Sequence, residues 1–209
     1  DSTAATLVET SAVESPTDDS TPDYTFVSSE AGTITYSGSC SSSTTSASAG
    51  ANTITLNSLS EGTYSDCKIT VTDSLNNAVT LSLSSFEIDT TAPTVTTFTT
   101  TADNQSAVAV TDNMTVTFSE AMDNTTVTTN TDNTSCSGTL RVSSDNFSSC
   151  IQMSSSSPVS SDYITFILDP SDNLTGGTTY KTRVTTGVTD SAGNALSSQY
   201  DNSTGFTTQ

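Results

Sequence analysis

No histidine and no tryptophan occur in this chain of 209 residues. Without an imidazole to carry the proton, Ser-His-Asp and Cys-His nucleophile arrangements are excluded. A common zinc ligand is missing for the same reason. Cations are scarce as well. Lys68, Arg141, Lys181 and Arg183 stand against 23 acidic residues, giving a net charge of −19. Nucleic acid is not an expected partner, because phosphate contacts need clustered cations. Anionic lipid surfaces would be repelled. No apolar run reaches the length of a transmembrane helix, so no membrane insertion is expected, and no signal-peptide pattern is visible. The chain starts at Asp1 rather than at a methionine, which reads as a mature, processed product.

Apolar residues make up only 32% of the chain, while Ser and Thr together reach roughly 40%. Such a composition borders on disorder, but the apolar residues are patterned. Thr33-Ile34-Thr35-Tyr36, Thr53-Ile54-Thr55-Leu56, Lys68-Ile69-Thr70-Val71 and Thr115-Val116-Thr117-Phe118 alternate with period two, the signature of half-buried strands. Threonine is β-branched and suits the solvent face of a sheet. An all-β chain follows, with thin cores and threonine-coated surfaces. Strands are predicted at 24–28, 32–39, 52–57, 63–72 and 78–88 in the first half. In the second they fall at 94–99, 106–110, 114–119, 126–129, 137–143, 150–153, 162–168, 178–186 and 204–208.

The four cysteines fall two per half and allow three pairings. Pairing Cys40 with Cys67 and Cys136 with Cys150 keeps each bridge within one half and is the expected arrangement. A zinc site is the weaker rival, since no C-x-x-C spacing occurs. Disulfides imply an oxidising compartment and hence secretion.

Two phrases of the second half belong together: Val116-Thr117-Phe118-Ser119-Glu120-Ala121-Met122-Asp123 and Gly187-Val188-Thr189-Asp190-Ser191-Ala192-Gly193-Asn194-Ala195-Leu196. Phe166, Pro170, Leu174 and Gly177-Thr178-Thr179-Tyr180 stand between them, and Phe206-Thr207-Thr208 closes the chain. In order and spacing, residues 92–208 resemble the bacterial Ig-like domains of S-layer proteins, adhesins and surface filaments. The stretch from Gly62 to Ser74 resembles them too, although Leu75-Asn76-Asn77 stands where many relatives carry Gly-Asn. Phe86-Glu87-Ile88-Asp89-Thr90-Thr91-Ala92-Pro93 looks like a joint between tandem domains. The expected organisation is an extension and acidic linker over 1–23, an Ig-like β-sandwich over 24–90 and another over 91–209.

The resemblance implies a structural module rather than an enzyme. Glu120 and Asp123 are the nearest approach to a carboxylate pair, and they fall in a turn. A Lys–Asn isopeptide bond would need a buried lysine. Lys68 and Lys181 adjoin the inward-facing Ile69 and Tyr180, which turns both outward. Seven sequons occur, at Asn104, Asn113, Asn124, Asn133, Asn146, Asn173 and Asn202. So much Ser and Thr would give about five by chance, so they do not argue for glycosylation.

Three functional expectations remain. Ig-type topology would bring Glu30, Glu61, Asp89, Glu120, Asp123 and Asp190 toward the joint, where Ca²⁺ suits gathered carboxylates. The first sandwich shows only about five strands against the seven of an Ig domain. A β-prone segment over 4–14 is therefore expected to act as a donor strand for a neighbouring copy. Ala5, Leu7 and Val13 lie on one parity of that segment, and Ala4, Thr6, Val8, Thr10 and Ala12 on the other. The favoured reading is a secreted homopolymeric filament subunit at the cell surface. The alternative is a fragment of a repeat adhesin or S-layer-type protein whose loops bind a cell-surface or glycan ligand.

Overall fold

A computed structural model describes residues 3–100 and 106–209; Asn104 lies outside them. The chain divides into two compact units, residues 1–91 and 92–209. Every named element is a strand.

In the first unit, β1 (Leu7–Ser11), β2 (Asp23–Ser28) and β5 (Gly50–Thr55) form one sheet in the order β1-β2-β5. A second sheet runs β4-β3-β7-β8, from β4 (Ser46–Ala47), β3 (Gly32–Ser37), β7 (Lys68–Thr72) and β8 (Ala78–Ser82). The pair β6 (Gly62–Tyr64) and β9 (Phe86–Ile88) completes the sandwich. Period-two alternation sets the layers. Tyr24, Phe26 and Ile54 face Ile34, Ile69 and Val71 in a closed core. Each such large side chain contributes about 1.5–3 kcal/mol by leaving water. The outward threonines stand in register as cross-strand pairs, among them Thr25↔Thr53, Thr35↔Thr70 and Thr70↔Thr80. The last pair shares a 2.7 Å hydroxyl hydrogen bond.

Two predicted strands are each broken in two. The run 63–72 becomes β6 and β7, and 78–88 becomes β8 and β9, with each half in a different sheet. The break in the first run lies at Cys67, whose disulfide to Cys40 ties the crossing segment down. At Gly38, φ is +79° and an added Cβ would lie 2.1 Å from the Asp66 carbonyl, so only glycine fits there. The count of five strands therefore missed real breaks. Among its described residues the first unit has nine strands, β1–β9, and it is not short of them.

The N-terminal segment is one of the nine. In the single chain β1 pairs antiparallel with β2, from Leu7↔Ser28 to Ser11↔Thr25. Ala5 and Val13 are buried and Leu7 is half-buried, whereas Val8 is 58% exposed. The parity containing Leu7 thus faces inward. The 16–23 stretch, expected as an acidic linker, lies against the same unit. Thr17 forms a parallel bridge to Ile88, and the carbonyls of Ser20 and Pro22 accept from the Leu59 and Leu56 N–H groups.

The second unit packs sheet β10-β11-β13, from β10 (Val95–Thr100), β11 (Met114–Phe118) and β13 (Thr165–Leu168), on sheet β12-β14-β15. The latter comprises β12 (Leu140–Ser143), β14 (Thr179–Val184) and β15 (Tyr200–Thr207). Phe118 and Phe166 meet edge-on at 5.9 Å, and Tyr180 and Phe206 stack at 5.5 Å. Predicted strands at 106–110, 126–129 and 150–153 shrink to isolated bridges at Val108, Thr129 and Met153. Asn130, fully buried, explains the irregularity near the last two. Its amide donates to the carbonyls of Asp132, Cys150 and Ile151, while its Oδ1 accepts from the Ser137 N–H and hydroxyl. Side-chain bonding replaces a strand ladder there.

Both expected disulfides are formed, with Cα separations of 5.2 Å for Cys40–Cys67 and 4.9 Å for Cys136–Cys150. Non-reducing peptide mapping should recover these two links and none between the halves. Replacing Cys136 and Cys150 with serine should cost the second unit about 3 kcal/mol in denaturant unfolding. A crossed peptide would contradict the topology.

Candidate functional site

With so few cations available, the carboxylates of this chain find other partners. An aspartate two residues before a threonine closes a small ring, in which its Oδ1 accepts from the threonine N–H. This recurs at Asp19–Thr21, Asp89–Thr91, Asp123–Thr125 and Asp132–Thr134, at 2.8–3.1 Å. Larger loops use the same device. Asp145 accepts from the Ser149 N–H and hydroxyl and from the Ser143 hydroxyl, which holds its pKa down at about 2. Asp132, Asp162 and Asp73 are lowered for like reasons. The chief donors are the Thr134 N–H for Asp132, the Thr165 N–H for Asp162 and the Asn77 side chain for Asp73.

Two of these loops are copies of one another. Asp190 Oδ1 accepts from the N–H groups of Ala192, Gly193 and Asn194, and Oδ2 accepts from the Asn194 amide. In the first unit, Asp73 accepts from the N–H groups of Leu75 and Asn77 and from the Asn77 amide. The fourth residue of each loop has positive φ, +106° at Gly193 and +63° at Asn76. Asparagine tolerates that region better than other side chains. The departure at Leu75-Asn76-Asn77 thus changes the residue and keeps the turn.

The expected cation ligands lie as follows. In the first unit, Glu61 accepts from the Thr90 and Thr91 hydroxyls at 3.5 and 2.5 Å, and Asp89 accepts from the Thr91 N–H. Those two acids thus grip one segment. Glu30 sits in the turn between β2 and β3, where its backbone bonds the Ser28 hydroxyl. In the second unit the Glu120–Asp123 turn lies against the Asp190 loop. Met122 bridges to Asp190, and the Asp123 N–H donates to the Thr189 carbonyl at 3.0 Å. Glu120 and Asp190 offer carboxylate oxygens within 4.8 Å of each other.

The expected assembly segment is held by an acid that sequence reasoning overlooked. Glu9, on β1, accepts from the Ser84 N–H at 3.0 Å and from the Ser84 hydroxyl at 2.6 Å. Burial raises its pKa, but these bonds outweigh it and the net shift is downward. Burial first, and then the charge of Glu9, push the Tyr24 phenol upward. No period-two argument reveals this latch, because Ser84 is 75 residues away in sequence.

Of the lysines, Lys68 is exposed and Lys181 is half-exposed, with Nζ 3.1 Å from Asn146 Oδ1. Arg183 pairs with Asp201 at 2.6 Å and lies 3.9 Å from the centroid of the Phe147 ring.

These sandwiches and their paired loops fit the comparison with known families. The profile of the bacterial Ig-like domain matches residues 89–208, more than half of the chain. The chain belongs to the bacterial Ig-like domain family. Its domains occur in surface-exposed bacterial proteins and are typically not enzymes. No curated protein matches the chain.

Acid should act on the aspartate loops. A carboxylate whose folded pKa is depressed stabilises the fold fully above its unfolded value, and that contribution is lost as pH falls through the folded value. For Asp145 the interval runs from 3.8 down to about 2. Thermal melting followed between pH 5 and pH 2 should therefore fall steeply below about pH 4. Asp145→Asn should melt lower at neutral pH and show a shallower acid dependence. A wild-type melting point that stays level down to pH 2 would contradict the assignment.

Proposed function

We propose that this chain is a secreted structural subunit of a bacterial surface filament, joined head-to-tail by exchange of its N-terminal strand. The observation that carries the reading is the position of β1. Among the described residues it is an edge strand, paired on one side only, with β2. Beyond that ladder it is held by the Glu9–Ser84 hydrogen bonds, by bonds between Thr6 and Ser29 and between the Thr10 and Thr25 hydroxyls, and by a few inward side chains. The same contacts serve equally well when the strand comes from a second copy, as in domain swapping. Because the Ser15 hydroxyl accepts from the Glu87 N–H and residues 17–22 are also tied to their own unit, the exchanged piece ends before them, and its hinge lies at Glu14. Head-to-tail exchange is heterologous and propagates rather than closes. Threonine-covered, disulfide-bridged sandwiches suit a module that bears load outside the cell.

Deleting residues 1–15 tests this. The truncated chain should be soluble and monomeric and should form no fibres, and added peptide 3–14 should bind its vacated edge. Normal fibres from the truncated chain would refute strand exchange.

Calcium forms a second part of the proposal. Glu120 and Asp190 repel one another at their separation, and a divalent cation would relieve that repulsion. Removing Ca²⁺ with chelator should lower the melting temperature of the second unit, by mass action. An unchanged midpoint with millimolar Ca²⁺ present or absent would rule the ion out.

A further inference from the structure

In the second unit, a concavity of ≈ 120 Å³ opens between three segments. Asn133 stands on the first, Gln152 on the second, and Asp172 and Asn173 on the third, while Leu174 and Tyr180 form a buried floor. The rim differs from the loops described above. There, acids and amides close their own backbone. Here the side chains of Asn133, Gln152, Asp172 and Asn173 hydrogen-bond to no described residue.

The walls are nonetheless fixed. Asp132 binds the backbone of Thr134 and Ser135, which holds the turn that carries Asn133. The Cys136–Cys150 bridge and buried Asn130 clamp that turn to the 150–152 segment. On the third wall the Ser171 N–H donates to the Gln152 carbonyl, and the Leu174 N–H to the Val110 carbonyl. The Thr175 N–H donates to the Tyr180 hydroxyl at 2.9 Å. Polar groups free to bind thus project from a framework that is already ordered, so little conformational freedom is lost on binding.

The donor set selects the ligand. Three carboxamides each donate and accept, and one carboxylate accepts only. A flat apolar ligand would leave all four without partners. A divalent cation would find a single carboxylate where it needs six or more oxygens. An anion would meet Asp172 and the field of a chain at −19. The volume is below the roughly 300–1,000 Å³ of sites that enclose drug-sized molecules. What fits is one neutral ring bearing adjacent hydroxyls on one edge and C–H groups on a face. We propose that this concavity binds a single neutral pyranose residue of a glycan. The site lies wholly within the second unit, so it stands whether or not strands are exchanged.

The test uses ¹H–¹⁵N spectra of the full chain with the methyl glycosides of glucose, galactose, mannose and N-acetylglucosamine. At least one should shift the amides of Asn133, Gln152, Asp172, Asn173 and Thr175 saturably. The dissociation constant should be on the order of 1–10 mM, as befits so few contacts. Gln152→Ala and Asn173→Ala should each weaken binding by roughly fivefold or more. Neither should change the melting temperature, since neither side chain hydrogen-bonds to a described residue. A glucuronic acid glycoside should bind more weakly than its neutral counterpart, and Asp172→Asn should erase that difference. The proposal is overturned if none of the four shifts these amides, if the shifts survive both alanine substitutions, or if the acidic sugar binds better.

Discussion

The hydrogen bond from a backbone N–H to an aspartate carboxylate is the interaction on which much of this structure depends. Four cations cannot neutralise 23 acids, and an ionised carboxylate must keep its hydrogen bonds when it leaves water. The chain meets both constraints at once by seating aspartates at the starts of its turns. Asp190, 1% exposed, is the extreme case, with four donors drawn from its own loop. Loops built this way hold their shape without large apolar anchors, which a chain of 32% hydrophobic content could not supply. A disulfide in each unit reinforces the sandwich.

That division of labour bears on function. Rigid loops and threonine faces leave little that could serve chemistry, and the family to which the chain belongs is one of surface modules. The features that stand apart are those the scaffold does not use for itself. β1 is secured by one ladder, a carboxylate latch and a few hydroxyl bonds, and the side chains of the polar rim in the second unit hydrogen-bond to no described residue. A donated strand and a glycan contact are compatible roles for one surface protein, since the first lies in unit one and the second in unit two.

Much of the fold is legible in the sequence because period-two alternation is a local signal. Met114–Phe118 and Lys68–Thr72 could be placed from the residues alone, and so could the bridges that keep cysteines within each half. What escaped notice is non-local. The breaks within 63–72 and 78–88 arise because a strand crosses between sheets, which alternation does not record. They made the first sandwich look short of strands when it is not. The cis pairing of Leu7–Ser11 with β2 is supported by Ser84, far along the chain. The Asp-x-Thr turns could have been read directly, since the spacing itself is the signal. Asn130 could not, because its role needs the carbonyls of Cys150 and Ile151 beside it.

Amide hydrogen exchange tests the dependence on carboxylates most directly. At neutral pH the N–H groups of Leu75, Asn77, Thr134, Ser149, Thr165 and Asn194 should be protected to a degree approaching that of the adjoining strands. Replacing the accepting aspartate should release the amides of its own loop while the strands stay protected. If these amides exchange at the rates of a free peptide in the intact protein, the loops are not held by their aspartates and the account fails.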